Sequence, residues 1–129
     1  MTNIELLAVI LEHLTTFDLP EPWSVKVSAY AGERDRILVQ LRGSALPHAA
    51  STLLAWSDTL TDVSTEVWRV PGGYSVHLSV EGRMADGTTV AVFDGVEPHT
   101  RFGLEPDERR PVSLACLREW STLNEGVAA

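Results

Sequence analysis

Four histidines come first, because imidazole is the commonest metal ligand and carries protons near neutral pH. They are His13, His48, His77 and His99. No two of them form an HxH, HxxxH or HExxH pair that would bring two imidazoles to one metal ion. The sequence therefore predicts no metal site and no cofactor, and it favours exposed helical positions for His13 and His48.

His77 differs from the other histidines because it lies inside an alternating segment, in phase with Ser75 and Ser79. If the neighbouring strands pair as hairpins, Trp68 and Phe93 share its face of the sheet. Aromatic residues on an open face are typical of a binding surface. Alternatively, a helix covers this face, so that Trp68 and Phe93 belong to the core and His77 to its rim. Trp68, His77 and Phe93 are the candidate binding face.

Nucleophiles and acid–base pairs are poorly represented. Asp94, Glu97 and His99 lie close together in the sequence, but a segment rich in Asp, Glu, Pro and Gly is typical of a solvated turn. Cys116 follows a predicted helix start, which could lower its pKa, although its apolar neighbours favour a small buried side chain. Neither a GxSxG elbow nor a phosphate-binding glycine loop occurs. We predict no catalytic residue.

The elements that position these residues begin with a helix. Apolar residues recur at helical spacing at Ile4, Leu7, Leu11 and Leu14. Thr2 and Glu5 form a capping-box pattern, and Pro20 closes the segment. A second amphipathic helix is predicted over residues 47–60, and Ser113 is the expected N-cap of a last helix.

Alternating apolar and polar residues predict the strands, over residues 23–30, 36–42, 62–70, 74–84 and 88–93. Residues 31–35 form a polar turn, and Gly82 is a candidate bulge. Asp86-Gly87 is the strongest turn signal, because this dipeptide accepts positive φ in a tight hairpin. Residues 94–111 are predicted to be a loop.

These elements predict an α+β fold with an antiparallel sheet of about five strands, in the order α-β-β-α-β-β-β-α, and with helices packed mainly on one face. A chain of 129 residues is one domain, and we expect residues 126–129 to fray.

Composition excludes several classes of partner. A formal charge of −8 and a pI near 4.8 argue against direct nucleic-acid binding and against adsorption to an anionic membrane. The single cysteine excludes an internal disulfide framework. The segment after Met1 has no basic region of a signal peptide, and its apolar run is too short to cross a bilayer. A cytoplasmic location is expected.

Four stretches carry a resemblance across most of the chain: Pro20-Glu21-Pro22, Ala55-Trp56-Ser57-Asp58, residues 73–88 and residues 105–114. With these stretches the chain resembles a diffuse group of small uncharacterised actinobacterial proteins, some of them from phages or integrative elements. The resemblance implies a single domain and an accessory or mobile-element context. It implies no activity for any residue.

Three functions follow as hypotheses. The first is a non-enzymatic accessory or regulatory module that acts through a protein partner or through self-association. The second is a small-molecule-binding domain or minor enzyme, with a pocket between sheet and helices lined by Trp23, Trp56, Trp68 or His77. The third is an acidic mimic of DNA that inhibits a DNA-binding protein.

Overall fold

The computed structural model describes residues 1–29 and 35–123. The helices are α1 (Asn3–Thr16), α2 (Leu46–Ser57) and α3 (Leu114–Ser121). The strands are β1 (Ser24–Ser28), β2 (Arg36–Gln40), β3 (Thr61–Arg69), β4 (Val76–Arg83), β5 (Thr89–Val96) and β6 (Arg109–Pro111). The predicted fraying at 126–129 and most of the predicted turn at 31–35 lie outside the described residues.

The six strands form one mixed sheet, in the order β1-β2-β5-β4-β3-β6. All neighbouring pairs are antiparallel except β2 and β5, which run parallel. The fold class is α+β as predicted, but the expectation of a purely antiparallel sheet of about five strands is wrong. The parallel pair arises because β5 completes the β3-β4-β5 meander and then accepts the distant β1-β2 hairpin along its free edge.

The sixth strand lies in the segment predicted to be a loop. β6 is only three residues long and pairs with β3, with Arg109 opposite Trp68 and Pro111 opposite Glu66. A proline is tolerated there because β6 is an edge strand and one side of its backbone needs no ladder partner. Three residues cannot produce a recognisable alternation, which is why the sequence pattern missed this strand.

Helix α1 begins with the predicted capping box. The Thr2 hydroxyl accepts from the Glu5 N–H at 3.1 Å, and the Glu5 carboxylate accepts from the Thr2 N–H at 3.1 Å. The buried residues of the helix are Leu6, Ile10 and His13, so the prediction of an exposed His13 is wrong. The predicted apolar repeat instead leaves side chains in solvent, at Ile4, Leu7 and Leu11.

Two turn predictions have different outcomes. Gly87 has a φ of 90°, and the Met84 N–H donates to the Thr88 carbonyl at 2.9 Å, which confirms the Asp86-Gly87 hairpin. Gly82 pairs regularly with Val90, and the irregularity lies opposite it in β3, between Thr61 and Ser64. A Cβ on Gly82 would lie 3.0 Å from the Leu60 Cβ, so close packing explains the missing side chain.

All three helices pack on the same side of the sheet. Helix α2 contacts β4 and β5, and its Leu53 and Trp56 are fully buried against the inward-pointing side chains of the strands. Helix α3 packs on α2. The Trp120 ring of α3 also contacts the Phe102 ring, which is not part of α2, at a centroid distance of 5.3 Å. In α1, His13 stacks on Trp56 at 5.6 Å. This covered face therefore holds the core, and none of the helices in residues 1–29 and 35–123 lies on the other side of the sheet.

Candidate functional site

The candidate site is the open face of the sheet, defined by the side chains that point away from the helices. The strand register places them there, because residues directly opposite each other in a sheet point to the same side. The open face comprises Lys26, Arg36, Leu38, Gln40, Glu66, Trp68, His77, Ser79, Glu81, Arg83, Ala91, Phe93, Arg109 and Pro111.

Three rings lie in contact at one end of the open face and form what we call the aromatic cluster: Trp68, His77 and Phe93. The Trp68 and His77 rings meet edge to face at 5.4 Å, and the His77 and Phe93 rings stack at 4.8 Å. All three are half-buried. The structure thus brings the three candidate residues together on a face without a helix.

A glycine leaves room for this arrangement. Gly95 lies opposite His77 in the sheet. A Cβ at Gly95 would lie 3.2 Å from the Ser75 Oγ and 3.8 Å from the His77 Cδ2. A side chain at Gly95 would therefore press on the Ser75 hydroxyl and would meet the imidazole in ordinary van der Waals contact.

The Trp68 ring is held from two sides. Its Nε1–H donates to the Asp107 carboxylate at 3.1 Å, and the Arg109 guanidinium lies 4.5 Å from the ring centroid. Arg109 also forms an ion pair with Glu66, at 2.6 Å between Nη1 and Oε1. Neither Asp107 nor Arg109 was predicted as a site residue, because their placement depends on β6.

The surroundings of His77 favour the neutral form of its imidazole. Burial lowers the pKa of the imidazole below its ordinary value, Asp94 on the other side of the sheet opposes this shift, and Arg109 adds to it. A neutral imidazole between two aromatic rings offers a flat, weakly polar surface. Among the described residues no side-chain hydrogen bond orients His77 as an acid or base.

A shallow depression of about 480 Å³ occupies the middle of the open face. Its floor includes Leu38, Ala91 and Phe93, and its margins include Arg36 and Glu81. Of the ten basic and eighteen acidic residues in the chain, four basic and two acidic residues point outward on this face. The carboxylates of Asp62 and Asp107 also lie at this face, against Arg83 and the Trp68 indole, so the face is balanced in charge whereas the whole chain is strongly acidic.

Asp94 is the main polar residue on the covered face. It lies inside β5 rather than in a loop, and it is only 2% exposed. The Ser44 hydroxyl donates to its Oδ2 at 3.1 Å, whereas Oδ1 has no hydrogen-bond partner among the described residues. Burial raises the pKa of this carboxyl, and the Ser44 hydroxyl together with nearby backbone amides opposes that shift. Glu97 and His99 follow on the surface and line a cavity of about 570 Å³ whose lining does not include Asp94.

Cys116 matches the structural interpretation of its sequence neighbourhood. Ser113 caps α3 and accepts from the Cys116 N–H at 3.1 Å, as its predicted N-cap position requires. The side chain is partly buried, and burial raises the pKa of the thiol. A raised pKa disfavours the thiolate, which is the form that acts as nucleophile and metal ligand.

The four residues named for a pocket between sheet and helices lie in different environments. Trp56 is fully buried in the core, and Trp23 is 65% exposed with Arg42 at 5.6 Å from its ring. Trp68 and His77 are on the open face. Within residues 1–29 and 35–123, no three His, Cys, Asp or Glu side chains are placed to hold a metal ion. None of the described helices is both long and apolar enough to cross a bilayer.

Comparison with known proteins gives no assignment from similarity: no family model matches the chain, and neither the curated proteins nor the solved structures contain a match to it.

Proposed function

We propose that the protein is a non-enzymatic accessory or regulatory module that binds a protein partner through the open face of its sheet. The observation that carries this proposal is the aromatic cluster, three half-buried rings in contact on a face that has no helix over it. An accessory role in a mobile element would agree with the resemblance described above.

The composition of the open face supports an interface. Tryptophan and arginine are the residues that contribute most to binding at protein interfaces, and Trp68 and Arg109 form a stacked pair here. Covering apolar surface gains roughly 25 cal/mol per Å², and one aromatic side chain can bury up to about 250 Å². The aromatic cluster with Leu38 and Pro111 therefore offers the apolar anchor that a stable interface requires.

The surface is also preorganised. Asp107 and Arg109 hold the indole of Trp68, and Phe93 stacks on His77, so the rings have little conformational freedom left to lose. Ordering a flexible side chain on binding costs about 0.5–1.5 kcal/mol, and a rigid ring avoids much of that cost. A partner can therefore gain affinity from a modest contact area.

The test uses two apolar positions on opposite sides of the molecule, the half-buried Phe93 of the open face and the exposed Leu11 of α1. Phe93→Glu places a charge in the aromatic cluster, and Leu11→Glu is the matched control on α1, where Leu11 is 61% exposed. Each purified variant is fixed to a matrix and exposed to an extract of the native host, and any protein retained is then purified and its affinity measured directly.

We expect wild type and Leu11→Glu to bind the same protein with equal affinity, and Phe93→Glu to bind it at least tenfold more weakly. Sedimentation of each variant alone tests self-association through the same face. If the wild type binds no protein and is a monomer, or if Phe93→Glu binds as the wild type does, the proposal is wrong.

A second candidate function is the binding of a small molecule in the depression of the open face. Its volume, about 480 Å³, lies within the usual range for ligand pockets, and its floor is largely apolar. Titration of ¹⁵N-labelled protein with indole and with benzoate tests this alternative. Saturable shifts confined to β4 and β5 at millimolar ligand or below would favour it, and their absence would exclude it.

A further inference from the structure

We propose that the partner of the open face is an acidic polypeptide segment, bound in extended form, with an apolar side chain about four residues from a carboxylate. This inference rests on the proposed function, because it names the partner of that same face. Two independent features of the face carry it: the distribution of its charges and the distance between its apolar and basic parts.

The first feature is a pair of basic residues on the open face, Lys26 and Arg36, that are not neutralised by a salt bridge within the described part of the chain. Arg109 is paired with Glu66 at 2.6 Å, and Arg83 lies 3.7 Å from Asp62. Lys26 and Arg36 lie on the adjacent strands β1 and β2, and within the described part of the chain neither forms a salt bridge. They give this end of the face a positive potential, which attracts a carboxylate and steers its approach.

The second feature is the separation between this basic pair and the aromatic cluster. Phe93 is opposite Gln40 in the parallel pair of strands, and Arg36 lies four residues before Gln40 on β2. Four residues of strand span roughly 13 Å at about 3.3 Å per residue. An extended peptide has the same rise, so its apolar residue and its carboxylate reach both ends when they are about four residues apart.

The depression lies between these two ends. Its floor of Leu38, Ala91 and Phe93 accepts one apolar side chain, while the peptide backbone continues toward Arg36. A small aromatic acid is too short to contact Phe93 and Arg36 together, which favours a polypeptide over a metabolite as the ligand.

Charge also argues against two other macromolecules as the occupant of the open face, a second copy of this chain and a nucleic acid. A second copy placed face to face would offer Lys26 and Arg36 only the outward acidic residues of the same face, Glu66 and Glu81, and Glu66 is already paired with Arg109. Lys26 is also central in the edge strand β1, a position that discourages pairing of that edge with another β1. A nucleic acid would meet Glu66 and Glu81 on the same face and sixteen further acidic residues elsewhere in the chain.

The experiment uses synthetic peptides as probes with the full chain. The test peptide is a fluorescein-labelled dodecapeptide of glycine and serine that carries one phenylalanine, with a pair of glutamates starting four residues after it. One control peptide has lysines in place of the glutamates, and another has alanine in place of phenylalanine. A twelve-nucleotide single-stranded DNA with the same label is the nucleic-acid arm.

Two protein variants separate local charge from net charge. Arg36→Glu reverses the basic end of the face, and Arg118→Glu makes the same change in net charge at an exposed position of α3. We expect the wild type and Arg118→Glu to bind the test peptide equally, and Arg36→Glu to bind it about fivefold more weakly, the factor that corresponds to about 1 kcal/mol. We expect both control peptides and the DNA to bind more weakly than the test peptide.

The result that overturns the inference is distinct from failure of the proposed function. If the lysine peptide or the DNA binds as tightly as the test peptide and Phe93→Glu abolishes that binding, the face is a binding surface but its partner is not acidic. If no peptide binds while the host partner still depends on Phe93, the inference fails and the proposed function stands. If binding of the host partner is independent of Phe93, both are wrong.

Discussion

The two faces of this sheet are built from the same strands yet have opposite character. On β4, Val76, Leu78 and Val80 point to the covered face and are buried to within 1% of full burial. The residues between them, His77 and Ser79, point to the open face and are half-buried. Helix α2 fills the space against the covered face with close-packed side chains, whereas on the open face mixed polar and aromatic residues leave a depression. One face therefore holds the buried core, and the other is the surface that we propose binds a partner.

The contrast between the two faces should be largest when substitutions at neighbouring residues of β4 are compared for their effect on stability. Leu78→Ala should cost about 3 kcal/mol of unfolding free energy, because it removes a fully buried side chain and leaves a cavity. Ser79→Ala, the next residue but on the open face, should cost less than about 0.5 kcal/mol. Urea denaturation measures both. Similar losses at the two positions would mean that the open face is part of the core.

Asp94 is a buried acidic residue on the otherwise apolar covered face. Replacing its carboxyl should change the pH dependence of the unfolding free energy. Because its pKa is raised in the folded protein, its contribution to stability is greatest at low pH and is lost as pH rises through the folded pKa. Asp94→Asn keeps the shape without the charge, so it should be more stable than the wild type at pH 7 by about 1 kcal/mol.

The measurement is the unfolding free energy of the wild type and Asp94→Asn between pH 4 and pH 8. The two curves should diverge as pH rises. Ser44→Ala is the control, since it removes the hydroxyl that donates to Oδ2 and should destabilise the protein. Parallel curves for wild type and Asp94→Asn would show that the carboxyl does not titrate in this range.

His13 should give the opposite pH dependence of stability from Asp94, because it is a buried imidazole on the covered face of the sheet. Its ring is within 2.8 Å of the Thr59 Oγ1, and that hydroxyl donates to the Trp56 carbonyl at 2.7 Å, so His13 Nε2 carries the hydrogen. Burial lowers its pKa, with Asp86 opposing the shift. Its stabilising contribution is present above the unfolded pKa, near 6.5, and is lost as pH falls through the lower folded value.

Thermal unfolding of the wild type and His13→Gln between pH 7.5 and pH 5 measures this contribution. The wild type should lose up to about 1 kcal/mol more than His13→Gln over that interval. His48→Gln is the control, because His48 is exposed on α2. The interpretation fails if His48→Gln, rather than His13→Gln, removes the dependence on pH.

The smallest effect on stability is expected on the open face itself. Arg109→Ala removes an ion pair with Glu66 and the contact with the Trp68 ring, both of them exposed to solvent. The loss should be about 0.5 kcal/mol, because water screens such interactions. Partner affinity should nevertheless fall severalfold, since the indole loses one of its two supports. A loss of several kcal/mol in denaturation would contradict the proposal that this face serves recognition rather than stability.

Local patterns predicted the parts of the fold that depend on neighbours in the chain. The capping box at Thr2 and Glu5, the hairpin at Asp86-Gly87 and the cap at Ser113 were all readable because each is completed within a few residues. The sequence also predicted that Trp68, His77 and Phe93 share one face of the sheet. These residues lie on three consecutive strands, and hairpin pairing of consecutive strands determines which side chains share a face.

Other features could not be predicted because they depend on residues far apart. The apolar spacing in α1 favours Leu7 and Leu11 as core, but docking of the helix against β1 and α2 buries Leu6, Ile10 and His13 instead. A helix with apolar residues over more than half its circumference does not specify which side is buried.

The sequence by itself determined the α+β class, the phase of each long strand and the acidity of the chain, because these follow from residue types and short spacings. Only the tertiary structure decided that β2 joins β5 in parallel, that β6 places Arg109 on Trp68, and that the helices leave the aromatic cluster uncovered. The physical reason is that several strand orders and helix positions satisfy the local sequence patterns about equally well. Close packing of side chains from distant segments into one core determines which of these arrangements is the most stable.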